Sequence, residues 1–247
     1  MSTEALYQDD AYLSETTATV TAVRAGAIEC DRTVFYAAGG GQAGDTGNLV
    51  RADGTSIAIL DTRKSDGRAG EAADVIVHRV APDAPLPTVG EAVILRIDWA
   101  RRYAMMRLHT SLHVLSCVVV APVTGGNIAP DKARLDFDID MGLLDAGRIT
   151  REVNALVARA VPTRTVWVSD EDLDSRPEWV KTMSVQPPRG AGRIRLLAIE
   201  GIDLQACGGT HVANIGEIGA IRVTRIRNEG RRNKRVELVL DGPGGAC

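Results

Sequence analysis

Aromatic side chains are scarce: two Phe, three Trp and four Tyr are spread over 247 residues. That argues against the stacked-ring platforms on which single-stranded nucleic acid is commonly laid. Long apolar runs are missing too. The longest, around Cys117–Val123, falls far short of a membrane span and runs into a proline and paired glycines. Cysteine is limited to Cys30, Cys117, Cys207 and Cys247, without the dense spacing of a disulfide framework. The opening MSTEALYQDDAYLSE is acidic and polar and holds no secretory segment. These absences point to a cytoplasmic protein with no membrane partner, where a Cys/His cluster means metal more often than disulfide. Nor is there an excess of positive charge. The net charge of −3 gives no global attraction to nucleic acid, which leaves only local concentrations of base.

What is present is ordinary in bulk and unusual in one place. At 45% hydrophobic and 25% charged, the chain suits one large globular domain or two small ones. Only four histidines occur, yet three of them fall in two short clusters, His109-x3-His113 and Cys207-x3-His211. On a helix, His109 and His113 project from one face, one turn apart. In Cys207-Gly208-Gly209-Thr210-His211 the paired glycines allow a loop tight enough to bring both side chains to one point. Three imidazoles and one thiol are the ligand set of a tetrahedral zinc, one ion per chain. Imidazole and thiolate also accept other transition metals.

Along the chain, residues 16–97 read as β structure. Thr17–Val23, Ala27–Cys30, Thr33–Tyr36, Gly47–Val50, Ser56–Leu60, Asp74–Arg79 and Ala92–Ile97 are short Val/Ile/Thr runs between turn residues. Such closely spaced strands suggest a small barrel or sandwich. From Trp99 to about Val120 the period becomes helical, with Ala104, Met105, Leu108, Leu112 and Leu115 in phase, and Gly125-Gly126 break the pattern. A second amphipathic helix is expected over Ile149–Ala160. Ser169 with Asp172 resembles a capping box that opens a short acidic helix. Leu135–Ile139, Arg164–Val168, Arg193–Glu200, Glu217–Arg227 and Arg235–Leu240 read as strands, the last two joined as a hairpin through Asn228-Glu229-Gly230. The tail Gly242–Cys247 is expected to be mobile. The fold class is therefore α+β: a β-barrel-like first domain over 1–95 and an α+β metal-binding domain over 96–247. No internal repeat is visible.

Asp98-Trp99-x-Arg101-Arg102-x3-Met106-Arg107-x-His109-Thr110-Ser111-x-His113-x-Leu115-Ser116 resembles the first metal motif of the alanyl-tRNA synthetase editing domain. Cys207-Gly208-Gly209-Thr210-His211, followed by Gly216-Glu217-Ile218-Gly219, resembles the second. Upstream, Thr33-Val34-Phe35-Tyr36-Ala37-Ala38-Gly39-Gly40-Gly41-Gln42-x2-Asp45-x-Gly47 is similar to the glycine-rich motif of the preceding domain, and Arg134-x-Asp136-Phe137 matches a further element. All four lie in family order. The chain is too short to add an aminoacylation core, so the likeness is to the freestanding editing proteins of the AlaX group in their longer form. The resemblance implies a zinc-binding editing domain of the threonyl/alanyl-tRNA synthetase second-additional-domain type. It also implies hydrolysis of tRNA(Ala) mischarged with serine or glycine, with the alanyl form spared. One departure is Ala37, where the family usually has proline after the Phe-Tyr pair.

On that reading the acceptor end of tRNA(Ala) is the partner, and no obligate protein partner is expected. His109, His113, Cys207 and His211 hold the metal. A complete tetrahedron is the mark of a structural site, so catalysis there needs one loose ligand, and Cys207 is the candidate. Rejecting alanine while accepting serine needs polar groups that bond the extra hydroxyl. Thr110, Thr210, Gln42 and Asn127 are the candidates, with Thr124 ranked lower. Cys207, Gln42 and Thr110 are the catalytic candidates. Thr33, Gly39, Gly40, Gly41, Gln42, Asn127 and Thr210 are the substrate-binding candidates, the glycines by letting backbone amides approach a ligand. Arg222, Arg225, Arg227, Arg231, Arg232, Lys234 and Arg235, with Arg101, Arg102 and Arg107, form a basic stripe suited to phosphates. Three rival readings stay open: editing of Ser-tRNA(Thr), a zinc hydrolase of another ester or amide, and a zinc-stabilised RNA-binding module without catalysis. The second lacks the adjacent Glu of H-E-x-x-H, since Thr110 and Ser111 follow His109.

Overall fold

The computed structural model describes residues 2–65, 75–182 and 193–242. Their contacts form two units: the chain up to Gly39 together with Ala43–Tyr103, and Gly40–Gln42 together with the chain from Ala104 onward. The division thus falls after Tyr103, not near residue 95. The expected mobile tail lies outside the described residues from 243 on, and so does Asp74 at the head of one expected strand.

The first unit is built from β1 (Glu4–Ala5), β2 (Glu15–Arg24), β3 (Ala27–Cys30), β4 (Arg32–Thr33), β5 (Gly47–Arg51), β6 (Ser56–Ile59), β7 (Asp61–Lys64), β8 (Ile76–Arg79) and β9 (Ala92–Ile97). Seven of these form one antiparallel sheet in the order β6-β5-β9-β2-β3-β8-β7. Strand β9 shows why the pattern folds this way. Val93, Leu95 and Ile97 are buried while Ala92, Ile94 and Arg96 face out, the period-two alternation of a half-buried strand. Leu95 joins Val20, Leu49, Ile57 and Ile59 in the core.

The expectation of a barrel needs correction: the sheet does not close. Its edge strands, β6 and β7, share no ladder, yet they follow each other in the chain and are joined through Leu60 alone. A joint of one residue reaches only about 7 Å. The sheet therefore curls until its edges meet at that corner, and the chain turns there instead of pairing. Thr33–Tyr36 also departs from a full strand, since β4 stops at Thr33. Beyond it the backbone is held by side chains. Tyr36 N–H donates to Asp45 Oδ2 at 2.7 Å, and the buried Arg102 donates to Val34 O at 2.6 Å and to Asp45 Oδ2 from Nε at 2.9 Å.

The second unit takes most of α1 (Trp99–Val118), which opens on Asp98, whose Oδ1 accepts Arg101 N–H at 3.1 Å. Between Met105 and Ser116 every residue except Arg107 is buried, so α1 is a core helix with more than one apolar face covered. Strands β10 (Val123–Ile128) and β11 (Ala133–Phe137) follow, then α2 (Ala146–Val157), β12 (Thr163–Val168), α3 (Asp170–Asp174), β13 (Ile194–Ile199), β14 (Asp203–Ala206), β15 (Ile221–Asn228) and β16 (Lys234–Leu240). They make a four-stranded sheet, β10-β11-β16-β15, and a three-stranded one, β12-β13-β14. Gly125 and Gly126 are not the break that ends α1; they pair with Asp136 and Leu135 inside β10. The Ser169/Asp172 capping box is present at α3. Glu217 does not open a strand, because Asn214 and Glu217 form a capping box over the 3₁₀ turn Ile215–Ile218.

Candidate metal centre

His109 and His113 point inward from the buried middle of α1, and Cys207 leaves the end of β14 toward them. Arg195 shapes the loop that follows. Its guanidinium donates to Cys207 O at 3.0 Å and to Gly209 O at 2.8 Å, which satisfies two carbonyls that the tight turn would strand. One ligand atom from each of His109, His113, Cys207 and His211 then lies within 4.8 Å of the others. Cys207 Sγ is 3.5 Å from His109 Nε2 and 3.2 Å from His211 Nε2. A tetrahedral zinc sets its donors roughly 3.3–3.8 Å apart. The histidines are buried and Cys207 is half-buried.

The outer nitrogens fix which ring atoms face the centre. His109 Nδ1 is 2.8 Å from Gln42 Oε1, an atom that only accepts, so Nδ1 carries the hydrogen and Nε2 keeps its lone pair. Thr110 Oγ1 donates its hydrogen to Met106 O at 2.8 Å. It therefore accepts from His211 Nδ1 at 3.2 Å, and His211 Nε2 is likewise free to ligate. His113 Nδ1 lies 3.8 Å from Asp203 Oδ2 and has no hydrogen-bond partner among the described residues, although it is buried.

Charge agrees with the geometry. Burial pushes the Cys207 thiol up, but the three imidazoles outweigh it and hold it well below the usual thiol range. Burial drives His211 down to about 3. Burial also opposes charge on His113, yet Cys207 and Asp203 overcome it and lift His113 to about 9. Burial raises Asp203 as well, and the neighbouring His113 and Lys181 outweigh that to leave it at about 2. Three imidazoles and a sulfur suit a borderline-soft divalent cation, and the residues fit zinc.

The polar candidates fall into three groups. Gln42, Thr110 and Thr210 surround the centre and brace it through hydrogen bonds. Gln42 Oε1 accepts from His109 and from Thr210 N–H at 3.2 Å, and its Nε2 donates to Thr210 Oγ1 at 2.8 Å. Gly41 brings this segment alongside β10. Its carbonyl accepts from Ile128 N–H at 2.8 Å, and a Cβ on it would lie 2.7 Å from Gly126 O. Asn127, on the same strand, is exposed, with Nδ2 3.5 Å from Gly41 O, and Gly40 is exposed at φ +56°. Thr124 Oγ1 is buried and has no hydrogen-bond partner among the described residues. Its strand is tied to the centre at both ends: Ile128 pairs with Gln42, and Val123 N–H donates to Lys181 O, whose side chain holds Asp203.

Two candidates belong to the first unit. Gly39 accepts from the Tyr36 hydroxyl at 2.8 Å. Thr33 is buried, with its hydroxyl 2.8 Å from His78 Nε2. His78 Nδ1 faces Ile28 O at 3.2 Å and must carry the hydrogen, so Thr33 is the donor to Nε2. Asp203, Lys181 and Arg195 were not singled out from sequence. A signal for Asp203 exists in the period-two run Asp203-x-Gln205-x-Cys207, which places all three on one side of a strand.

The basic stripe is thinner than its sequence. Arg235 is engaged by Asp136 and Glu229, Arg232 by Asp138 and Arg222 by Asp241. Lys234 is buried and caps loop carbonyls. Arg102 is buried with Asp45, Arg101 donates to Gly44 O at 2.6 Å and Arg107 to Ile218 O at 2.8 Å. Arg225 and Arg227 remain exposed on one face of β15, opposite Glu237 and Arg235 of β16.

Comparison with known proteins places these features in context. The profile of the threonyl and alanyl tRNA synthetase second additional domain matches residues 194–237, and that of the class II (A) tRNA synthetases matches residues 4–101. The alanyl-tRNA editing protein AlaX-M of Saccharolobus solfataricus is 35% identical over 240 residues, which cover 95% of this chain and 97% of that protein. AlaX-M of Methanosarcina mazei is 34% identical over 251 residues, 96% of each. The alanine–tRNA ligase of Ignicoccus hospitalis is 32% identical over 246 residues, 96% of this chain and 26% of the ligase.

Proposed function

The chain belongs to the family of alanyl-tRNA editing proteins, and on that premise we propose that it hydrolyses the ester of tRNA(Ala) mischarged with serine, and with glycine, while sparing alanyl-tRNA(Ala). The observation that carries the reading is the cluster of His109, His113, Cys207 and His211, of which Cys207 and His211 lie within the profile-matched residues 194–237. These four residues would hold one zinc ion. When bound, zinc supplies a Lewis acid for the ester carbonyl or lowers the pKa of a water.

The chain's own residues orient and select. Gln42 and Thr110 are positioning residues, because each spends its hydrogen-bonding capacity on a ligand ring or the adjoining loop. Reading the serine hydroxyl is a separate task. Thr124 takes that role, since a buried hydroxyl without a partner costs free energy that a substrate hydroxyl relieves. Alanine offers no such group. Cys207, the one half-buried residue of the four, is where substrate approaches the centre. Arg225 and Arg227 supply phosphate contacts, which position the RNA without reading its sequence. The reading implies a cytoplasmic protein, where charged tRNA is used.

The test is deacylation of Ser-, Gly- and Ala-tRNA(Ala) and of Ser-tRNA(Thr), with and without a strong chelator. Serine should be released from tRNA(Ala), alanine retained, and activity lost on metal removal. Thr124→Val should narrow the serine-over-alanine preference about 10- to 100-fold, the equivalent of one buried hydroxyl. If all four substrates survive while the protein carries zinc, the editing reading is wrong. Preferential loss of Ser-tRNA(Thr) would move it to the threonine branch.

A further inference from the structure

The three ligand histidines are not held alike. His109 leans on an amide oxygen and His211 on a hydroxyl, both neutral acceptors already within hydrogen-bond distance. His113 faces a carboxylate. The side chain of Asp203 is 4% exposed and sits 3.8 Å from His113 Nδ1, and no hydrogen-bond acceptor among the described residues satisfies that buried nitrogen. Asp203 is itself fixed from two sides: Lys181 Nζ donates to Oδ1 at 2.5 Å and Gln205 Nε2 donates to Oδ2. Lys181 is placed by backbone pairing, with Val123 N–H on its carbonyl. Gln205 also reaches Ser116 Oγ on α1 at 3.3 Å, which ties the carboxylate's neighbour to the helix that carries His113.

We propose that Asp203, anchored by Lys181 and Gln205, is the outer carboxylate of the metal centre and makes His113 its strongest imidazole donor. The inference rests on the reading that the four residues bind zinc. An anionic acceptor polarises the imidazole N–H more than an amide or hydroxyl does, which raises electron density on the opposite nitrogen and fixes the ring's orientation. The ion-pair partner keeps that charge in place: without Lys181, a carboxylate this buried would be uncompensated. Asp203 is thus a positioning residue that acts through His113.

The experiment is competition of the full-length protein against a chelator of known zinc affinity, with the visible spectrum of the Co2+-substituted protein as a second readout. Asp203→Asn should bind zinc about 10- to 100-fold more weakly and shift the cobalt bands. Asp203→Glu, which keeps the charge, should stay within about threefold of wild type. Lys181→Gln, a change at a side chain 30% exposed, should fall between. Equal affinity in wild type and Asp203→Asn overturns the proposal, as does equal loss in the Asn and Glu variants. Should Asp203→Asn fail to fold, unchanged affinity in Lys181→Gln overturns it. If the wild type itself binds no zinc, the metal reading fails before this one.

Discussion

Gly208 and Gly209 are neighbours with different duties. A Cβ on Gly208 would meet nothing within 4 Å, whereas one on Gly209 would lie 2.2 Å from His109 Cε1 and 2.4 Å from Nδ1. Gly209→Ala must therefore displace the His109 ring, and zinc affinity by chelator competition should drop at least about tenfold. Gly208→Ala should remain within about twofold of wild type. Equal effects at the two positions would show that the loop is set by backbone flexibility and not by the close approach. The sequence made the ligands legible because histidine is rare and the spacings fit a helix turn and a tight loop. It did not separate the two glycines, since which one touches a ring depends on a helix nearly 100 residues away. Gln42, Thr110 and Thr210 were likewise visible as polar groups near the motifs. Their commitment to bracing was not, because a hydrogen bond spent on a neighbour leaves no local mark.

Helix α2 shows how an element finds its place. Ile149, Val153 and Val157 supply its buried stripe, and Asp145 caps it by accepting Arg148 N–H. Asn154 then treats β15 as a strand partner would, donating to Ile221 O and accepting from Ile221 N–H, each at 2.9 Å. Thr150 Oγ1 accepts Val223 N–H at 3.0 Å. Together they occupy groups at the sheet edge that would otherwise be open to another chain. Asn154→Ala leaves both Ile221 groups unpaired and should cost about 1–3 kcal/mol. That corresponds to roughly 2–10 °C in thermal midpoint, readable by calorimetry; an unchanged midpoint would mean water replaces the amide freely. Caps and apolar periods announced α1, α2 and α3 from the sequence. Strand β10 stayed hidden because its glycines carry no side chains to alternate. The barrel reading erred since closure depends on ladder register at the edges, which strand count does not encode.

At the scale of the molecule, a net charge of −3 coexists with an arginine row on one sheet face. Pairing within the fold reduces the basic stripe to few free cations, and Arg225 and Arg227 stand out on the exposed side of β15. If they hold phosphates, the double change Arg225→Gln with Arg227→Gln should weaken tRNA binding. It should also flatten the log–log salt dependence by about 1 to 2, one unit or slightly less per contact. Weaker binding with an unchanged salt slope would assign these residues to something other than phosphate. The α+β class and the placing of the ligands in the later half followed from the change of period near residue 99. The limits of the units did not, because contacts need not respect chain order. Gly40–Gln42 belongs by its contacts with the second unit, though it lies some sixty residues upstream of that unit's main segment. No single cut of the gene can separate the halves cleanly. A fragment starting at residue 104 would carry all four ligands but leave His109 Nδ1 without its acceptor and Ile128 N–H without its carbonyl. Any recombination that moved this half into another protein would have to bring along, or reinvent, three residues from the middle of its neighbour.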